Sequence, residues 1–78
     1  MDKKLEYRDY TIEANPMRLD APMRWSVDID IVRHDPAGPV VKEFSAEETF
    51  PTETEAIEAC FEFGRQIIRG GVAGLVPP

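Results

Sequence analysis

Basic charge, cysteine, histidine and long apolar runs are all scarce in this chain. Its 78 residues hold nine lysines and arginines against fifteen aspartates and glutamates, a net charge of −6. Nucleic-acid binders draw most of their affinity from neutralising phosphates, so an acidic balance argues against that class. The single cysteine, Cys60, excludes an internal disulfide, and a lone thiol without a CxxC pattern suits a reducing compartment. The single histidine, His34, excludes an all-histidine metal site within one chain. No stretch approaches the ~18 apolar residues of a membrane span. The opening Met-Asp-Lys-Lys-Leu-Glu-Tyr-Arg is not a signal peptide, and the cytoplasm is the expected location. GxSxG, HExxH and Walker sequences are also missing.

What is present is ordinary globular composition, 42% hydrophobic and 31% charged. The length allows one small domain over residues 1–78, which buries only ~60% of the surface its unfolded chain exposes. The acidic residues are unevenly placed. Between positions 43 and 62 there are seven glutamates and no lysine or arginine.

Residues 5–14 read as a first strand with Tyr10, Ile12 and Ala14 on one face, ended by Asn15-Pro16. Residues 15–23, with two prolines and no periodicity, read as a loop. Residues 24–34 carry the clearest strand, where Trp25, Val27, Ile29 and Ile31 alternate with Ser26, Asp28, Asp30 and Val32. Asp35-Pro36-Ala37-Gly38-Pro39 is a turn, and residues 40–50 return antiparallel, the last six either extending the strand or forming an irregular link.

Thr52 and Glu55 form a Thr-x-x-Glu capping box at the head of a helix over 52–70. Acidic residues sit in its positive first turn and Arg65 and Arg69 toward its negative end, and Gly70-Gly71 stops it. Stepping ~100° per residue gathers Glu55, Glu58, Glu62, Arg65, Gln66 and Arg69 on one side. The apolar remainder spans roughly 200°, about twice the stripe that packing on one core needs. Ile57, Phe61, Gly64 and Ile68 are expected to face the sheet. Ala59, Phe63 and Ile67 form a second seam, to be covered by the apolar tail with Leu75 and Val76 or by a second copy of the chain. These five residues are the candidate interface.

Other constellations read as structural. His34 beside Asp35 lies in an exposed turn. Cys60 sits mid-helix in the apolar stripe, not in the cationic setting that activates a thiol. Asp28, Asp30 and Glu43 lie on an open sheet face without the enclosure that acid–base work or a hard cation requires. Trp25 heads the core face of its strand, and Gly64 lets the helix approach the sheet. No catalytic residue, metal site or cofactor is expected.

Tyr7-Arg8-Asp9-Tyr10-Thr11-Ile12, Trp25-Ser26-Val27, Phe50-Pro51-Thr52-Glu53-Thr54-Glu55-Ala56 and Gly64-Arg65-Gln66-Ile67-Ile68 resemble a set of short bacterial proteins of unknown function. The helix end Arg65-Gln66-Ile67 is more loosely similar to that of the small HlyU-like regulators. The first resemblance implies a fold and no activity, the second a regulatory role. Tyr7-Arg8, the Trp25 strand and the Phe50, Thr52, Ala56 spacing also resemble AP2-type and integrase arm-binding domains. That likeness implies DNA reading by the open sheet face, where this chain has Ser26, Asp28, Asp30 and Val32 flanked by Arg24 and Arg33. The aspartates depart from the pattern where DNA would lie.

The expected fold is α+β, an antiparallel three-stranded sheet with one C-terminal helix on one face. Its core is expected to hold Tyr10, Ile12, Trp25, Val27, Ile29, Ile31, Phe44, Phe50, Ile57, Cys60, Phe61, Gly64 and Ile68, with Leu5, Phe63, Ile67, Leu75 and Val76 around it. The expected function is a non-enzymatic accessory or protein-interaction domain that self-associates as a homodimer, with DNA binding as the alternative.

Overall fold

A computed structural model describes residues 2–70. The α+β class holds, with one helix packed on an antiparallel sheet, but the sheet has five strands rather than three. They are β1 (Lys4–Tyr7), β2 (Tyr10–Ala14), β3 (Arg18–Leu19), β4 (Arg24–Asp35) and β5 (Gly38–Phe50), followed by α1 (Glu53–Gly70).

The two additional strands have separate causes. The expected first strand is a hairpin, β1 paired with β2 so that Leu5 opposes Ile12 and Tyr7 opposes Tyr10. The chain reverses at Arg8, whose φ of 56° supplies the left-handed step that a two-residue turn requires. The expected loop contributes β3, whose Arg18 and Leu19 pair with Trp25 and Arg24. The prolines flank this pairing and leave its amides intact. Bonds from Asn15 N–H to the Asp28 carbonyl and from Ser26 N–H to the Met17 carbonyl, both 2.8 Å, continue the pairing with β4 from the end of β2 to the start of β3. Both strands therefore border one side of β4, and β5 borders the other along its whole length.

Strand alternation sorts the sheet into two faces. Ile12, Val27, Ile29 and Ile31 lie on the helix side and are almost fully buried. Ala56, Ile57, Cys60 and Ile68 of α1 close over them. Trp25, Phe44, Phe50 and Phe61 are half-buried at the margin rather than central. Gly64 is buried, and a Cβ there would stand 2.7 Å from Ile12 Cγ2, so its missing side chain sets the helix–sheet approach. At the helix head, Glu55 N–H donates to Thr52 Oγ1 at 3.2 Å, the expected cap.

The last part of β5 extends the strand through an irregularity. Ala46 pairs with Val27 and Thr49 with Ser26, so Glu47 and Glu48 form a bulge where β4 has no residue to match. Past it, pairing resumes in a register shifted by two residues, with Phe50 opposite Trp25.

Candidate functional site

Two hollows flank β5, one on each face of the sheet. On the helix side, Ala46 and Phe50 of β5, Val27 of β4, and Ala59 and Phe63 of α1 line a groove of about 170 Å³. Glu48, Glu62 and Gln66 form its polar rim. The bulge brings Glu48 there, and helical spacing brings Ala59, Glu62, Phe63 and Gln66 together. The Arg65 guanidinium bonded to Glu62 at 3.1 Å holds that carboxyl below its ordinary pKa, and Arg69 stands 3.4 Å from its other oxygen.

This geometry bears on the candidate interface directly. Ala59 and Phe63 line the groove, while Ile67 is half-buried against the core and is not part of its wall. Leu75 and Val76 lie outside the described residues. Because β5 continues to Phe50, Phe50 and Ala46 stand beside the second helix seam and cover part of it. Met17, Leu19, Met23 and Val41 are the exposed large hydrophobics among the described residues, and none is on α1.

On the open face, Asn15, Met17, Asp28, Asp30, Glu43 and Ser45 border a shallow hollow of about 310 Å³. Ser26 and Ser45 both donate to Asp28, the latter at 2.6 Å, and Asn15 Nδ2 donates to Asp30 at 3.2 Å. Asp30 and Glu43 are directly opposed across the β4–β5 ladder. Among the described residues, no group of three or more histidine, cysteine or acidic side chains is arranged to hold a metal ion.

β5 itself is the third part of the site. Among the described residues it pairs only with β4, so the alternate backbone groups on its outer edge, from Gly38 up to the bulge at Glu47 and Glu48, meet no further strand. Among the same residues, Glu43, Glu47, Glu48, Glu55 and Glu58 form no ion pair.

The remaining candidates lie apart from the groove. Cys60 is fully buried. Burial pushes its thiol above the ordinary value, and its Sγ–H donates to the Asp28 carbonyl at 3.5 Å. His34 is exposed, with Nε2 2.7 Å from Thr11 Oγ1. The Thr11 hydroxyl gives its one proton to Glu6, so the histidine Nε2–H must be the donor to it. Thr11, buried on the otherwise open face, is a residue that periodicity alone did not single out.

Of the two arginines expected to flank the open face, Arg24 is spent on Thr49, donating at 2.6 Å to both its hydroxyl and its carbonyl. Arg33 falls on the helix side by alternation, opposite Tyr10 and Val40 and 3.4 Å from Asp35.

No protein-family model, curated protein or solved structure matches the chain. The resemblances to short bacterial proteins, HlyU-like regulators and AP2-type domains rest on the quoted motifs alone. Among the described residues, no helix is long and apolar enough to cross a membrane.

Proposed function

We propose that the protein is a non-enzymatic interaction domain that receives an extended polypeptide along the edge of β5 and in the β5–α1 groove, and that self-associates weakly through the same surface. One observation carries the reading: a 13-residue edge strand runs beside an apolar groove walled by Phe50, Ala59 and Phe63. An incoming strand gains main-chain hydrogen bonds from the edge and places alternate side chains in the groove, the mode of β-augmentation. Catalysis has no comparable support, since Cys60 is held as a buried thiol and Asp28 is engaged by two serines.

Self-association sets the glutamates of two β5 edges near each other. The dimer is therefore weak, and screening by salt strengthens it. Light scattering over a range of protein and salt concentrations tests this. The expected result is a mass that rises toward two chains with both variables, is lost in Phe63→Glu, and is reached at lower salt in Glu48→Lys. Glu48 is exposed, so the second variant keeps the test valid if the first misfolds. A mass of one chain under every condition contradicts the reading. DNA binding has no observation in its favour, because the face it would use centres on Asp28, Asp30 and Glu43.

A further inference from the structure

We infer that the preferred occupant of the β5 edge is an extended segment of a different protein in which apolar residues alternate with lysine or arginine. The inference rests on the reading of β5 and its groove as a docking surface, and adds the chemistry of the partner.

A strand laid against β5 turns successive side chains to opposite faces of the sheet. One set falls beside the groove of Ala46, Phe50 and Phe63, which selects apolar side chains. The other falls on the open face beside Glu43, with Asp28 and Asp30 one strand further in. Strands lie ~4.8 Å apart, a distance that a lysine or arginine side chain spans. Both hollows have apolar walls, but the open one gathers three carboxylates, Asp28, Asp30 and Glu43, so a single extended strand meets apolar wall on both faces and the denser negative charge on the open one.

Charge complementarity decides between occupants. The glutamates on the edge and along α1 that lack ion pairs attract a basic strand and repel a second acidic copy. If β5 pairs with its own copy, a two-fold axis through Phe44 sets Lys42 against Ala46 and Glu43 against Ser45, but one through Lys42, Glu43 or Ser45 sets like charges directly opposite: Lys42 against itself, Glu43 against itself, or Glu43 against Glu47. Such pairs destabilise a ladder. A basic partner turns the same groups into attraction.

Calorimetric titration of the full chain with capped peptides of about nine residues, a length matched to an edge strand, tests the inference. One peptide alternates valine and lysine, one alternates valine and glutamate, and one has the valines and lysines in two separate blocks. The expected result is binding of the alternating lysine peptide, weakened about tenfold on going from low to high salt. The blocked peptide should bind at least about tenfold more weakly and the glutamate peptide not measurably. In Glu43→Lys/Glu48→Lys the lysine peptide should lose about tenfold. Equal binding of the blocked peptide would mean diffuse charge attraction and overturn the inference. Failure of the alternating peptide, with the mass still rising with concentration, would overturn it and leave the self-association reading standing. Failure of both would remove the docking surface altogether.

Discussion

At Gly64 the helix backbone lies so close to Ile12 that one added methyl group meets three atoms of that side chain at 3.0 Å or less. Ile12 is itself fully buried. Gly64→Ala gains about 1 kcal/mol of helix propensity but overpacks the core by about 1–3 kcal/mol. Net destabilisation of about 1 kcal/mol is expected in urea unfolding; an unchanged or raised midpoint would show that the approach is looser. Cys60 makes a second prediction at this scale. Its folded pKa is raised, so the stabilisation of the neutral thiol is complete below the unfolded pKa and is lost as pH rises through the folded one. Alkylation near neutral pH should therefore be slow and should accelerate with denaturant in step with unfolding. Rapid labelling of the native protein would contradict its burial. Both residues were legible in the sequence, because a glycine and a small thiol in an apolar helix stripe point to close packing. Thr11 was not. Its burial on a polar face comes from Glu6 and His34, neighbours across β1 and β4 that only the register reveals.

Among the elements, α1 agreed with every local signal, and its cap supplies a direct check. Thr52→Ala removes the acceptor of the Glu55 amide and should cost about 1 kcal/mol, read as a lower thermal midpoint. Thr52→Asn should restore most of it; no loss in the alanine variant would show that the helix start is held by packing instead. The β1–β2 hairpin was partly legible. Apolar residues fall at odd positions, Leu5 and Tyr7, then at even ones, Tyr10, Ile12 and Ala14, a phase change that a two-residue turn produces. The turn lacks glycine and asparagine, so the usual punctuation was absent. β3 is two residues long and had no period to detect. The bulge at Glu47 and Glu48 hid how far β5 continues, and with it the coverage of the helix seam by Phe50. Of the helix residues expected at an interface, Ala59 and Phe63 lie in the groove wall and Ile67 does not.

Over the whole molecule, the glutamate band divides between an edge strand and the helix beside it. Such charges keep a long edge from pairing indiscriminately, and they set the sign of every salt effect the account predicts. Self-association should strengthen with salt, whereas capture of a basic strand should weaken. The central claim is that β5 is open and receives a strand, and amide hydrogen exchange resolved by residue tests it most directly. Alone and dilute, the protein should exchange rapidly at alternate amides of residues 40–46, those pointing away from β4. Adding the alternating valine–lysine peptide should slow those amides and leave the β2–β4 ladder unchanged. Unaltered exchange along β5, with protection appearing elsewhere on the surface, would contradict the account.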